Sequence, residues 1–142
     1  MMKELDRQLL AALRHNARMS TSALARTLGV SRSTVQSRIQ KLESEGVIQG
    51  YSVVLGDRYL EGRMRAHVLI TVEQRLTPRL NRLLEGIPEI VALHAISGEF
   101  DLIVEVEADG PPALNQVLDR VSALEGILRT QTSVILETRL SR

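Results

Sequence analysis

The chain has 142 residues, of which 44% are hydrophobic and 25% charged, with a net charge of +1. This composition allows a buried core in one medium domain or two small ones. The absence of cysteine excludes disulfides and thiolate metal sites. The longest apolar runs fall far short of the roughly 20 residues that a membrane span needs, and no basic-then-apolar leader opens the chain. We therefore expect a cytoplasmic protein without a membrane partner.

The small net charge hides an asymmetry between the two halves of the chain. Residues 1–60 carry a net charge of +4, and residues 61–142 carry −3. The stretch from Arg7 to Leu42 contains seven basic residues and no acid. Because a solvated surface normally mixes both signs, this stretch predicts a positive surface suited to a polyanion. The alternative is a chance fluctuation on a solvated face.

Three short helices are predicted at the start of the chain. The first spans roughly Lys3 to His15 and carries a stripe of leucines. Ser20 is a good N-cap for the second helix, which Gly29 ends. Ser31 caps the third helix, and Gly46 ends it. Two capped helices joined by three residues form a helix-turn-helix.

The third helix has a polar face opposite its apolar stripe. In a helix-turn-helix the second helix of the pair enters the major groove, where Arg suits guanine, Gln suits adenine and Ser suits either. The alternative is a three-helix scaffold whose polar face meets only water, although Glu and Lys would be usual there. Arg38 can also support the fold. The predicted DNA-binding residues are Ser20, Thr21, Ser31, Arg32, Ser33, Thr34, Gln36, Ser37, Arg38, Gln40 and Lys41.

A domain boundary is predicted after the helix-turn-helix. Val47 to Leu55 is typical of a strand with a glycine interruption, and a polar connector from Gly56 to Arg63 follows. We therefore divide the chain into a DNA-binding domain (1–55), a linker (56–63) and a dimerisation and effector-binding domain (64–142).

The second domain repeats a strand-helix-strand pattern. Its apolar helix stripes match at an offset of 34 residues. The predicted elements are a strand at Arg65–Glu73, a helix opened by Thr77-Pro78, a strand at Glu89–Ser97, a tight Gly98-Glu99 turn, a strand at Phe100–Ala108, a helix opened by Asp109–Pro112, and a strand at Ile127–Leu140. This βαββαβ order predicts a ferredoxin-like sheet with both helices on one face. The predicted fold class is α+β: an N-terminal helix-turn-helix (winged-helix-like) domain followed by a ferredoxin-like domain.

The other face of this sheet is predicted to lack a helical cover. Several large aliphatic side chains fall on it, and a patch of that kind does not belong in water. The residues assigned to it are His67, Leu69, Val91, Leu93, Ile103, Ser133 and Ile135. We expect the same sheet of a second copy to cover this face. Such a homodimer would read a palindromic operator in double-stranded DNA through two helix-turn-helix domains.

No pattern of catalytic or metal-binding residues stands out. The three histidines show no HxH or HExxH spacing, and no GxSxG, P-loop or GxGxxG motif occurs. Glu105 and Glu107 are two apart on one strand face, next to Asp101, but charged residues near an edge or assembly contact are the commoner explanation. The few aromatic residues argue against stacking on single-stranded nucleic acid. We predict no enzyme, no catalytic residue, no cofactor and no metal.

Short motifs occur along the whole chain in a specific order. They are Leu5-Asp6-Arg7, Leu24-Ala25, Leu28-Gly29-Val30-Ser31, Val35, Arg38-Ile39, Leu42-Glu43, Gly46-Val47-Ile48, Gly50-Tyr51 and Gly98-Glu99-Phe100-Asp101. In this order and spacing they resemble the Lrp/AsnC family of bacterial and archaeal regulators, also called feast/famine proteins. The chain departs from the family at its start, where members usually have a few more residues and another aspartate.

The family resemblance implies an assembly state and an effector, which the residues alone do not. Such proteins are dimers that often assemble into octamers, and many respond to an amino acid bound between their second domains. The effector pocket of the family would fall on Gly98, Glu99, Phe100, Asp101, Gln131, Thr132 and Ser133. The alternative is that the first four residues form an ordinary hairpin and the others are ordinary strand residues.

The sequence thus predicts a cytoplasmic, nucleoid-associated transcription regulator that binds specific double-stranded DNA and responds to an amino acid or related metabolite. One alternative is a nucleoid-organising protein with little sequence preference. Another is a small-molecule sensor or enzyme accessory domain, against which the acid-free basic stretch counts.

Overall fold

The computed structural model describes residues 1–141. The chain divides into two compact units, Met1–Val54 and Leu55–Arg142. The predicted linker, residues 56–63, lies at the start of the second unit and contains the short helix α4 (Asp57–Leu60). Within residues 1–141, no helix has the length and apolar character that crossing a membrane requires.

The first unit contains three helices, α1 (Glu4–His15), α2 (Thr21–Leu28) and α3 (Arg32–Ser44). Their apolar stripes meet in a small core. Its fully buried members are Leu9, Leu13, Leu24, Ala25, Val35 and Leu42. The helix-turn-helix predicted from the caps is therefore confirmed, with α2 and α3 as its two helices.

The caps of α2 and α3 form as the sequence predicts. Ser20 Oγ accepts a hydrogen bond from the backbone N–H of Ala23 at 3.0 Å, which satisfies one of the free donors of the first turn. Gly29 follows α2 with a φ of 68°. Because this left-handed conformation is costly for residues with a Cβ, glycine is the residue that ends the helix there.

The strand predicted over residues 47–55 does not form, so that prediction is wrong. Ile48 N–H donates to the carbonyl of Leu42 at 3.0 Å, which closes the end of α3. Beyond it, Val53 and Val54 are 76% and 92% exposed. A β-rich sequence becomes a strand only where a neighbouring strand and a half-buried surface are present, and this segment lies against neither within its own chain.

The second unit has the predicted βαββαβ order. Its elements after α4 are β1 (Met64–Val72), a 3₁₀ turn (Gln74–Leu76), α5 (Thr77–Glu85), β2 (Ile90–Ala95), β3 (Leu102–Ala108), α6 (Pro111–Ser122) and β4 (Ile127–Ile135). The strands form one antiparallel sheet in the order β2-β3-β1-β4. Together with the first unit, this sheet confirms the predicted α+β fold class.

One face of the sheet is buried beneath α5 and α6. Alternate residues of β1 and β3 point toward these helices, as strand alternation requires. The buried side chains are Ala66, Val68, Ile70, Val72, Leu80, Leu84, Ile87, Leu102, Val104, Val106, Ala108, Leu114, Val117 and Val121. The opposite face, here called the open face, has neither α5 nor α6 over it in the described part of this unit.

A β-bulge in β2 changes the predicted membership of the open face. The register shifts between Ile90 and Ala92, so Leu93 lies opposite Val104 and packs on the helix-covered core. The assignment of Leu93 to the open face is therefore wrong. The bulge inserts one residue, Val91, and this reverses the alternation for the rest of the strand.

The hairpin between β2 and β3 is longer than predicted. Ile96 N–H donates to the carbonyl of Asp101 at 2.9 Å, which encloses four loop residues instead of a two-residue turn. Gly98 in this loop has a φ of 116°. The final strand is shorter than predicted, because its partner β1 extends only to Met64 and the ladder ends with Arg65 opposite Ile135.

Candidate nucleic-acid interface and hairpin site

The outer face of α3 carries the polar side chains predicted to contact DNA. The buried residues of this helix are Val35 and Leu42, on the side toward the core. The exposed residues on the other side are Arg32, Ser33, Gln36, Ser37, Gln40 and Lys41. None of them is acidic, and most can hydrogen-bond a base edge. The part of this face between Arg32 and Lys41 can therefore enter a major groove without charge repulsion, whereas the exposed Glu43 lies beyond it, near the end of α3.

A groove of about 510 Å³ lies between the N-terminal ends of α2 and α3. Its lining is made of hydroxyl groups, one guanidinium and one side-chain amide. The lining residues are Ser20, Thr21, Ser22, Ser31, Arg32, Ser33 and Gln36. Free backbone N–H groups at helix N-termini favour anions, so this groove suits a phosphate oxygen.

Three of the predicted contact residues have structural tasks. Ser31 Oγ accepts from Thr34 N–H at 3.2 Å and lies 2.8 Å from Thr34 Oγ1. Ser20 holds α2 in the same way. These caps fix the N-terminal ends of the two helices, and the Ser33 hydroxyl lies 3.1 Å from that of Ser31. Arg32 and Gln36 are the exposed side chains beside them.

Arg38 is bound to a buried carboxylate. Its Nε donates to Asp6 Oδ1 at 2.7 Å, and its Nη2 donates to Asp6 Oδ2. The Asp6 and Arg38 side chains are only 5% and 17% exposed. The hydrogen-bonded guanidinium holds the pKa of Asp6 below its usual range, against the opposing effect of burial. Arg38 therefore links α3 to α1, and we leave it out of the proposed DNA contacts.

Asp6 is the residue in this unit that sequence reasoning missed. It is the buried charged residue of α1, on the same side as Leu9 and Leu13. A signal was available, because Asp6, Leu9 and Leu13 lie at i, i+3 and i+7 along the helix. A charge at a core position indicates a partner elsewhere in the fold, since an unpaired buried charge is costly.

The open face of the second unit mixes apolar and charged residues. Leu69 lies opposite Ile103, and next to them His67 Nε2 lies 3.3 Å from Glu105 Oε1. Glu107 pairs with Arg63 at 3.8 Å. The predicted residues found on this face are His67, Leu69, Ile103, Ser133 and Ile135. The two glutamates thus have basic partners, which suits a structural contact.

The hairpin contains four of the seven residues predicted for the effector, Gly98, Glu99, Phe100 and Asp101. Asp101 Oδ2 accepts from the N–H of Val72 at 2.9 Å, and its Oδ1 accepts from Gln74 Nε2 at 3.1 Å. The carboxylate therefore ties the loop to the end of β1. Glu99 instead projects outward and pairs with Arg129 of β4, whose Nη1 lies 3.0 Å from Glu99 Oε1.

The predicted polar residues of β4 do not share one side of the sheet. Gln131 lies opposite Leu69 and Ser133 opposite His67, both on the open face. Thr132 lies opposite Val68 on the helix-covered side. Strand alternation separates the three residues, so they do not form one cluster.

Comparison with known proteins gives the class of protein that this fold and these sites define. Residues 2–43 match the AsnC-type helix-turn-helix domain, and residues 65–142 match the Lrp/AsnC ligand binding domain. The chain is 35% identical over 133 residues to the transcriptional regulator LrpA1 of Halobacterium salinarum, covering 93% of this chain and 94% of that one. It is 28% identical to the transcriptional regulator LysM of Saccharolobus solfataricus, covering 95% and 94% of the two chains.

Solved structures agree with this class. A feast or famine regulatory protein from M. tuberculosis, complexed with L-methionine, superposes with a TM-score of 0.89 at 32% identity, covering 99% of this chain and 96% of that one. AsnC of E. coli gives a TM-score of 0.87 at 25% identity, covering 100% and 97%. The chain belongs to the Lrp/AsnC family of helix-turn-helix transcription regulators, which confirms the resemblance found in the sequence.

Proposed function

We propose that this protein regulates transcription by binding specific double-stranded DNA sites, with α3 in the major groove. The observation that carries the proposal is the outer face of α3 between Arg32 and Lys41, which contains no acid and exposes Arg32, Gln36 and Gln40 on successive turns. Arg and Gln form bidentate hydrogen bonds with guanine and adenine respectively, so this face has the chemistry to distinguish bases.

Contacts with the DNA backbone would position this helix. The groove between the N-termini of α2 and α3 offers hydroxyl and N–H donors to a phosphate. Lys41, farther along α3, lies 3.7 Å from Glu45 in an exposed ion pair. Because exposed pairs contribute little stability, Lys41 can exchange Glu45 for a phosphate at small cost.

A nucleoid-organising role with little sequence preference is the second candidate. The basic, acid-free stretch from Arg7 to Leu42 would serve it equally well, since phosphate contacts carry no sequence information. The glutamines of α3 favour the first candidate, because an uncharged amide adds little to non-specific attraction but can read a base.

We further propose that the protein works as a dimer or larger assembly. The open face places Leu69 and Ile103 together, on the side of the sheet opposite α5 and α6. A second copy would bury these aliphatic groups, and two DNA-binding units would then read a palindromic operator.

An amino acid is the proposed effector. The second unit matches a ligand binding domain, and the M. tuberculosis relative carries L-methionine. A ligand between subunits would bias assembly, and with it the spacing of the DNA-binding units.

The direct test is to ask which genomic fragments the purified protein retains, with and without each of the common amino acids. Enrichment of a few fragments that share a palindrome supports specific regulation. Even retention of all fragments would favour the nucleoid-organising role. An amino acid that changes the retained set would support the effector.

A further inference from the structure

The chain that leaves the first unit is held to the end of α3 at two points. Ile48 N–H donates to the carbonyl of Leu42 at 3.0 Å. Farther along, the Tyr51 hydroxyl donates to Glu43 Oε1, also at 3.0 Å. The first contact closes the helix end, and the second, made by two side chains, holds the segment that follows it.

Glu43 lies on the side of α3 that is proposed to face DNA. It follows Gln36 and Gln40 at i+7 and i+3 along the helix, a spacing that places the three side chains in one row. The carboxylate that Tyr51 binds therefore belongs to the helix that is proposed to read bases. The direction in which the chain leaves this unit is thus set by α3 itself.

The chemistry of the Tyr51–Glu43 contact suits an anchor. Partial burial and the hydrogen bond to Glu43 raise the pKa of Tyr51 above 10.0, so its hydroxyl remains a protonated donor at neutral pH. A hydrogen bond to an ionised acceptor is stronger than one between neutral groups, so a carboxylate is a good partner for this hydroxyl.

Beyond Tyr51 the chain has little contact with the unit that it leaves. The exposed fraction rises from 56% at Tyr51 to 76% at Val53 and 92% at Val54. The second unit begins at Leu55. With Tyr51 bound to Glu43, the free segment between the two units is therefore residues 52–54.

We propose that Tyr51 is a positioning residue for DNA binding, which through Glu43 keeps the DNA-binding unit on a short tether. This role rests on the proposed dimer that reads a palindrome, and it makes that dimer sensitive to the distance between the two half-sites. Without the contact, the last held residue is Ile48, and the free segment grows to residues 49–54. Since an extended chain spans at most about 3.5 Å per residue, the reach of the segment doubles from about 10 Å to about 20 Å.

A longer tether restricts the second DNA-binding unit less. The end-to-end distance of a flexible segment grows with the square root of its length, so doubling the length increases the sampled volume about threefold. The effective concentration of the unit at its half-site falls by about the same factor. One base pair moves a half-site by about 3.4 Å along the duplex and turns it by about 35°, a displacement that an added reach of about 10 Å can follow more easily.

Binding to DNA with altered half-site spacing tests the proposal. The probes are a palindromic fragment retained in the genomic selection, the same fragment with one or two base pairs inserted or removed at its centre, and a single half-site. The full-length wild type should bind one spacing best. Tyr51→Phe and Glu43→Ala should bind that spacing about threefold more weakly and lose less affinity when the spacing changes. Their affinity for the single half-site should equal that of the wild type.

Two conservative variants are the controls. Glu43→Gln retains a carbonyl oxygen that accepts a hydrogen bond from Tyr51, and Tyr59→Phe removes the hydroxyl of an exposed tyrosine in α4. Both should keep the spacing preference of the wild type.

The outcomes separate this role from the proposed function. If Tyr51→Phe and Glu43→Ala keep the spacing preference of the wild type, or if the wild type has none, the tether is refuted and specific regulation stands. An equal loss on the single half-site also refutes it, because Tyr51 would then act on the contact of α3 with DNA. A wild type that retains all genomic fragments evenly overturns specific regulation and the tether together.

Discussion

Asp6 and Arg38 form a buried ion pair that joins α1 to α3, with Arg38 Nε 2.7 Å from Asp6 Oδ1. When one residue of the pair is replaced, the other is left as a buried charge without a counter-charge, which is strongly destabilising. The loss of stability therefore depends on how deeply the remaining residue is buried. The Asp6 side chain is 5% exposed and that of Arg38 17%. We therefore expect Arg38→Gln to lower the melting temperature more than Asp6→Asn, each by on the order of 5 °C or more.

A double variant checks the coupling. Asp6→Asn/Arg38→Gln should melt higher than the sum of the two single losses predicts, because neither charge is left alone. Below its melting temperature, Arg38→Gln should keep the operator preference of the wild type. Strictly additive losses in melting temperature would show that the two charges do not stabilise each other. A lost operator preference in Arg38→Gln would assign Arg38 to DNA.

The same pair predicts how stability depends on pH. The hydrogen bond from Arg38 lowers the pKa of Asp6 in the folded protein below 3.8. As the pH falls, Asp6 is therefore protonated in the unfolded chain before it is protonated in the folded protein. The stabilisation is therefore complete above about pH 5 and is lost as the pH falls through the lowered pKa. The difference in melting temperature between wild type and Asp6→Asn should be constant near neutral pH and shrink toward about pH 2. A difference that grows in acid would show the opposite sign of the shift.

Gly126 is expected to tolerate no side chain. Its φ is 97°, and a Cβ there would lie 3.0 Å from Leu80 Cδ1 and 3.1 Å from Leu76 Cβ. Gly62 has a similar φ of 82° but open space around it. Gly62→Ala should cost about 1–2 kcal/mol from the backbone alone, and Gly126→Ala about 1–3 kcal/mol more from overpacking. Chemical denaturation measures both, and equal losses would refute the packing argument.

The open face is expected to hold the subunits together. Leu69→Asp or Ile103→Asp would place a charge in the contact, where its desolvation is costly, so light scattering should show monomers. Operator binding should weaken because the two DNA-binding units no longer act together. The control is Leu83→Asp on the exposed side of α5, which should leave the mass unchanged. A folded Leu69→Asp protein of full assembly mass would reject this interface.

Features set by local chemistry were predictable from the sequence. Ser20 and Ser31 cap their helices because a hydroxyl can reach the free N–H groups of the first turn, a matter of a few neighbouring residues. Gly29 and Gly46 adopt positive φ for an equally local reason. Strand alternation likewise identified the buried sides of β1 and β3.

Features that depend on residues distant in the chain could not be predicted from the sequence. Val91 forms a bulge and turns Leu93 to the covered face, although nothing in the local pattern distinguishes the two aliphatic residues. The ion pair of Asp6 spans 32 positions of the chain. Asp101 was predicted to meet a ligand, but its oxygens are used by β1 and its neighbour Gln74.

The proposal that α3 discriminates between bases is tested most directly by the ratio of two dissociation constants, one for random DNA and one for an operator. The dissociation constants for an operator and for random DNA of equal length are measured at one salt concentration, for the wild type and for Arg32→Ala/Gln36→Ala. We predict a wild-type preference of about 10³ or more, and a loss of about 1–3 kcal/mol of discrimination for each bidentate contact removed. Gln49→Ala, exposed and outside α3, should leave the ratio unchanged, and Lys41→Ala should weaken both constants equally. A wild-type ratio near one, or an unaltered ratio in the double variant, would contradict the account.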